Sequence, residues 1–218
     1  MSSDFTLYSY FRSSAAFRVR IALSLKGIKA EMRPIHLVRG GGEQHSDAYK
    51  AVNPQEIVPT LIHNGDTLTQ SLAIMEYLDE IVPEPPLLPR GAQARARVRA
   101  IADAVACDIH PLNNLRIGRY LKRNLGHNDQ EVFAWQCHWI TLGFDALENM
   151  LSSSPDTGAY CYGDAPTMAD ICLIPQMFNA RRLEMDMSGW PILVRIEKHA
   201  LNQPAFEAAL PKNQPDAE

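Results

Sequence analysis

The 218-residue chain carries 21 Lys and Arg against 25 Asp and Glu, a net charge of -4, with 46% hydrophobic residues. That composition fills one large core or two small ones, and the mild acidity gives no electrostatic reason to expect nucleic acid or an anionic membrane. No run approaches the roughly 18 apolar residues of a membrane span. The opening "MSSDFTLYSYF" has neither the basic start nor the apolar core of a secretory signal, so a cytoplasmic protein is expected.

The first third alternates strand and helix signals. "FTLYSYF" reads as a strand, and "AAFRVRIALSLKGI" as a helix closed by Gly27. Val19 with Leu23, and Phe17 with Ile21 and Leu25, form two apolar stripes, which predicts that much of this helix is buried. "AEMRPIHL" is a second strand. "VPTLIHNGDTLTQS" predicts a hairpin turning at Asn64-Gly65, and "SLAIMEYLDEIV" a helix capped by Ser71 or Thr69 with Leu72, Met75 and Leu78 on one face. Pro83, Pro85, Pro86 and Pro89 then mark a linker, because proline cannot continue a helix.

Everything beyond the linker reads as helical. A long helix from "QARARVRAIADAV" to "RYLKRNL" is expected to kink at Pro111, and "DQEVFAWQCHWITLGFDALENMLSS" is a second amphipathic helix. Thr167 and Asp170 stand at capping-box spacing ahead of a third. "WPILVRIEKHALN" and "PAFEAAL" supply two more. The four cysteines, Cys107, Cys137, Cys161 and Cys172, form no CxxC pair, and the seven histidines show no HExxH spacing. Reduced thiols and no metal are therefore expected.

Three features bear on chemistry. The serines of "SSAA" sit where a strand turns into a helix, a place for capping orphan amides or for presenting a hydroxyl to an anion at the helix's positive end. A covalent serine nucleophile needs a base and an orienting acid, and no GxSxG elbow is present. Val58-Pro59, at the start of a strand, suggests a cis peptide that exposes the Val58 backbone, with an ordinary trans turn as the alternative. Gln70-Ser71 at a helix start offers amides, a hydroxyl and a dipole to a carboxylate.

The blocks "LYSYFRSSAAFRVRIALSLKGI", "NPQEIVPTL", "TQSLAIMEYLDE", "IHPLNN" and "GDAPTMADICLIPQMFNARR" together resemble the zeta-class glutathione transferases, the maleylacetoacetate and maleylpyruvate isomerases. The resemblance covers nearly the whole chain. It implies an α/β thioredoxin-like N-terminal domain plus an all-α C-terminal domain, the glutathione transferase fold, paired as a homodimer. The corresponding division is 1–82 for glutathione binding, 83–91 as linker and 92–218 as the substrate-binding domain. It further implies that Ser13, with Ser14 beside it, sits at the glutathione sulfur, that Val58 before a cis Pro59 bonds the cysteinyl backbone, and that Gln70 and Ser71 take the γ-glutamyl carboxylate. Gln44 falls at the tripeptide's glycine end.

The family pattern is often Ser-Ser-Cys, whereas this chain has Ala15 at the third position, so the reacting thiol belongs to glutathione. A free thiol of pKa about 8.5 is mostly protonated at neutral pH, and a hydroxyl donor with a helix N-terminus stabilises its thiolate. In the implied reaction the thiolate adds to the alkene, the former double bond rotates, and the thiol leaves. Glutathione is thus a cofactor.

A dianionic substrate needs cations. Arg12 adjoins Ser13 and completes a catalytic set with Ser13 and Ser14; Arg116 follows Pro111, and by resemblance Arg182 matches an arginine the family keeps, whereas Arg181 falls where members differ. His110 and Asn114, in "HPLNN", are glutathione contacts or packing groups at the bend, His110 alternatively a proton relay. Arg95, Arg97 and Arg99 read as a wet helix face or a dimer rim. A transferase that conjugates or dehalogenates α-halo acids would use the same residues; a non-catalytic glutathione-binding protein, with Ala15 marking lost chemistry, is the alternative that the retained Ser13, Val58, Gln70, Ser71 and arginines argue against.

Overall fold

The computed structural model describes residues 4–218, which divide into two compact units, 4–87 with Asn202–Glu218, and Leu88–Leu201. In the first unit β1 (Phe5–Ser9) leads into α1 (Ser14–Leu25), β2 (Glu31–Pro34) and a short helix α2 (Asp47–Lys50), then β3 (Thr60–His63), β4 (Asp66–Thr69) and α3 (Ser71–Ile81). The strands lie in the order β2-β1-β3-β4; β1 pairs parallel to β2 and antiparallel to β3, and β3 pairs antiparallel to β4.

Local chemistry accounts for these boundaries. Asn64 and Gly65 both take positive φ (52° and 88°), which lets a two-residue loop join β3 to β4 with His63 opposite Asp66. Gly27, at φ 65°, ends α1: its N–H reaches the Ser24 carbonyl, and that of Ile28 reaches Leu23. Leu7, Phe17, Val19, Ile21, Leu61, Ile74, Met75 and Leu78 are almost wholly buried and form the core between sheet and helices. The Leu72 side of the expected α3 stripe is only half-buried, with Ile74 taking the central place.

α1 departs from its apolar pattern at Arg18 and Arg20, which are buried as well. Arg20 donates to the Ser9 hydroxyl and to the carbonyls of Tyr10, Phe11 and Ala209. Burial pushes its pKa down to about 9, with the Asp216 carboxylate acting in the opposite sense. Ala209 and Asp216 lie beyond α9 (Pro204–Ala208). The expected domain division is therefore corrected at its end, because residues 202–218 belong with the first unit and not with the helical one.

The second unit contains α4 (Ala92–Asp103), α5 (Leu115–Leu125), α6 (Asp129–Ser152), α7 (Met168–Arg182) and α8 (Pro191–Ala200), and no strand among the described residues. The single helix kinked at Pro111 is corrected too. α4 passes through a π-helical turn (Ala104–Ile109) into a tight turn (His110–Asn113), and Asn114 is extended before α5 begins. Proline fits the start of a new turn, where its missing N–H costs nothing, and the Asn114 side chain caps α5 by accepting from the Arg116 N–H at 3.0 Å. α6 holds the bend through Trp135 and Gln136, which donate to the carbonyls of Leu112 and Asn113. Gly143 admits the close approach, since a Cβ there would meet Ile109 Cδ1 at 2.2 Å.

The Thr167–Asp170 box forms at the start of α7: the Thr167 N–H and hydroxyl both donate to Asp170 Oδ2, and the Cys161 N–H donates to Oδ1. Burial raises the Asp170 pKa against the pull of those bonds. Among the described residues no helix is long and apolar enough to cross a membrane, no cluster of three or more His, Cys, Asp or Glu is placed to hold a metal ion, and none of the four cysteines is in a disulfide.

Candidate active site

The strand-to-helix turn after β1 is built so that Ser13 both caps and remains available. Ser13 is the N-cap of α1, in extended conformation, and its Oγ accepts from the Ala16 N–H at 3.2 Å. A hydroxyl has one hydrogen besides its lone pairs, and Ser13 gives that hydrogen to no described residue. Capping and anion binding, the two uses open to this serine, are thus compatible in one side chain. Ser14, the first residue of α1, is buried. Ala15 puts a methyl where a thiol would stand, and all four cysteines lie between residues 107 and 172, outside the first unit.

Arg12 is exposed and folds back on its own turn. Its Nη2 donates to the Tyr10 hydroxyl at 2.9 Å, and its guanidinium carbon lies 5.1 Å from the Phe11 ring centroid. Most of the guanidinium fork is left for an anion. Phe11 is anchored at both backbone groups, its N–H donating to Asp216 Oδ2 at 2.9 Å and its carbonyl accepting from Arg20 at 3.0 Å.

Beside this turn, through a cluster of Tyr10, Phe11, Ala16, Tyr49 and Val58, lies the loop that enters β3. The Val58-Pro59 bond is cis. Val58 is buried, yet its N–H and C=O take no part in the hydrogen bonds among the described residues, so they are available to another backbone. Two residues that sequence reasoning missed hold this loop. Asn53, fully buried, donates to the Ile57 carbonyl and to Thr60 Oγ1 while accepting from the Gln55 N–H; the Tyr49 hydroxyl donates to the Ile57 carbonyl. The Asn-Pro dipeptide of "NPQEIVP" is the signal that marks Asn53 as a turn former.

Gln70, and neither Ser71 nor Thr69, is the N-cap residue of α3, and it sits at φ 68°. A non-glycine residue held there stores strain, a recurrent sign of a binding position. Its side chain is exposed and donates to Gln55 Oε1 at 3.0 Å, while Ser71, the first residue of the helix, is buried. Gln44 is buried as well. Its Nε2 lies 3.0 Å from His45 Nε2, its Oε1 has no partner among the described residues, and His45 is braced by Glu56. That carboxyl is held below its ordinary range by the His45 hydrogen bond.

The first unit therefore brings Arg12, Ser13, Ser14, Gln44, Val58, Pro59, Gln70 and Ser71 into one fold unit, with a hydroxyl, an open peptide edge, a helix N-terminus and an orphaned buried amide oxygen. A peptide carrying a thiol and carboxylates fits that donor set. The remaining candidates belong to the second unit. His110 opens the tight turn, half-buried; Asn114 spends its side-chain oxygen on capping α5; Arg116 and Arg182 are exposed at the first turn of α5 and the end of α7. Arg181 is committed elsewhere, donating through Nε and Nη2 to the buried carboxylate of Glu197, which raises its pKa.

Residues 7–86 match the glutathione S-transferase N-terminal domain family. A probable maleylacetoacetate isomerase from Vibrio cholerae is 49% identical over 211 residues, 97% of each chain. Among solved structures, the holo form of a bacterial zeta-class maleylpyruvate isomerase is 44% identical with a TM-score of 0.95, over 98% of this chain and 100% of that one. The maleylacetoacetate isomerase of Methylobacterium extorquens AM1, with bound malonate and glutathione, is 40% identical with a TM-score of 0.94, covering 98% of this chain and 99% of its own. A four-stranded sheet unit followed by a helical one, the available Ser13 hydroxyl and likeness along almost the full chain place this protein in the zeta class of the glutathione transferase family.

Proposed function

We propose that the chain is a glutathione-dependent cis-trans isomerase of a maleyl-substituted oxo acid, maleylacetoacetate or maleylpyruvate, yielding the fumaryl isomer in aromatic-compound breakdown. The observation that carries this reading is a helix N-terminus with an available serine hydroxyl in a unit without any cysteine. Bound glutathione supplies the thiolate that adds to the alkene and leaves again. Ser13 holds a hydrogen toward that sulfur, and the N-terminus of α1 adds its positive potential, so the anionic form is favoured over the thiol. Val58 bonds the cysteinyl backbone, Gln70 and Ser71 take the γ-glutamyl carboxylate, and Gln44 meets the glycine end. Arg12, Arg116 and Arg182 bind the substrate's carboxylates, and His110 and Asn114 border the bound cofactor. Within the same reading the enzyme is a cytoplasmic homodimer.

Maleylacetone, offered with and without glutathione, tests the reaction. Turnover only in the presence of glutathione is the expected result. No isomerisation in either case overturns the proposal, and halide release from an α-halo acid without isomerisation assigns the protein to the dehalogenating transferases instead. Isomerisation without glutathione overturns the thiol route.

Two substitutions test individual roles. Arg182→Met is expected to raise KM for the dicarboxylate about tenfold, the order of one charge-assisted contact, and to leave KM for a neutral conjugation substrate within about twofold. Equal changes for both place Arg182 in a structural role. At Gly42, where φ is 116°, a Cβ would lie 2.6 Å from both side-chain amide atoms of Gln44. Gly42→Ala is expected to drive that side chain from its buried position, destabilising the protein by about 1–3 kcal/mol. Glutathione affinity, measured by titration calorimetry, falls several-fold with it.

A further inference from the structure

Arg18 stands one helical turn beyond Ser14 on α1, outside its two apolar stripes yet only 2% exposed. Its Nη1 lies 3.2 Å from Ser71 Oγ, in the buried space between α1 and α3. The direction of this bond is fixed by chemistry: a guanidinium has only donors, so the serine oxygen accepts. Ser71 then has one hydrogen left, and it gives that hydrogen to no described residue. A serine in the first turn of a helix otherwise turns its hydroxyl to suit any neighbour, as donor or acceptor. With Arg18 donating from behind to one lone pair, the hydroxyl's hydrogen is turned toward an acceptor in front of it.

Charge points the same way. A cation near the N-terminus of a helix adds to the positive end of the dipole and works against it for stability alone. A guanidinium that donates to the first residue of α3 adds positive potential at the place where an anion would arrive. We propose that Arg18 is a positioning residue for glutathione: it fixes the Ser71 hydroxyl as a hydrogen donor to the γ-glutamyl carboxylate and places positive charge behind it. This rests on the reading of Gln70 and Ser71 as the seat of that carboxylate.

The test is titration calorimetry with two ligands, glutathione and 4-aminobutyryl-cysteinylglycine, the same tripeptide without the γ-glutamyl carboxylate. Arg18→Met is expected to weaken glutathione about tenfold, the order of a charge-assisted hydrogen bond, and to leave the analogue within about twofold. In a Ser71→Ala background the same change is expected to add no more than about threefold, since no hydroxyl remains to orient. Equal weakening of both ligands, or full additivity with Ser71→Ala, makes Arg18 a packing residue and overturns the proposal. Discrimination unchanged by Ser71→Ala alone overturns the carboxylate seat itself, which separates that failure from this one. Arg18→Lys and Arg18→Gln are measured in parallel, so that the test stands if Arg18→Met does not fold. Lysine, which keeps a cation and a donor, is expected to retain most of the discrimination that glutamine loses, and equal ratios in the two overturn the proposal.

Discussion

Ser13→Ala is expected to lower kcat about a hundredfold and to move the bound thiol's titration upward by one to two pH units, read from thiolate absorbance with glutathione bound. Two contributions are lost together in that variant. Ser13 Oγ caps α1 through the Ala16 N–H, and removing a cap costs about 1 kcal/mol of stability. The hydrogen of the same hydroxyl, free of any described partner, is the one assigned to the sulfur. Ser13→Gly separates the two effects, because glycine serves as an N-cap at a cost of only about a few tenths of a kcal/mol. It is expected to unfold close to the wild type while turning over as poorly as Ser13→Ala. Full activity in Ser13→Gly, or a thiol titration unchanged in Ser13→Ala, removes Ser13 from the chemistry and leaves it a cap.

Asp216→Ala is expected to lower stability by about 1–3 kcal/mol and kcat/KM about tenfold, measured by urea unfolding and by steady-state kinetics. The carboxylate does two things at the turn that carries Arg12 and Ser13. It accepts the N–H of Phe11, which is 6% exposed and has no other use for that donor. It also faces Arg20, whose burial depresses the guanidinium pKa to about 9 and whose charge this carboxylate supports. With Asp216 gone, Arg20 is left buried with carbonyls and a hydroxyl but without that countercharge. Asp216→Asn keeps the acceptor and loses the charge, so it is expected to fall between the two. Wild-type stability and kinetics in Asp216→Ala make the C-terminal segment a bystander to the turn.

Local signals were enough for much of the fold. The Asn64-Gly65 turn, the Gly27 helix stop and the Thr167–Asp170 box each form as their residues require, because each depends on neighbours within a few positions. Pro111 shows the limit of such a signal. The ring disrupts the preceding turn and removes one backbone donor, yet whether the chain kinks or restarts was decided by Asn114 capping α5 and by Trp135 and Gln136 grasping the carbonyls of the bend. The N-cap of α3 fell to Gln70 and not to a serine or threonine for a comparable reason. Its backbone lies in a strained region that cap preferences do not cover.

The site divides along the same line. The amino-acid sequence by itself determined the candidates for the chemistry, with roles that come from the resemblance to the zeta class: serines at a helix start, a Val-Pro turn, a Gln-Ser helix start, and an alanine where the family pattern often has cysteine. These are statements about short motifs, and a short motif carries its own geometry. Only the tertiary structure decided what stands behind them. Arg18 and Arg20, two positions apart, point from opposite sides of α1, and nothing at either position names its partner: one reaches Ser71, 53 positions away, and the other Ala209, 189 positions away. Asn53 and Tyr49 hold the Val58 loop, and Asp216 closes on Phe11 across 205 positions. A buried polar group must find its partner wherever the packed chain brings one, so its partner is set by the whole fold and leaves no mark at its own position.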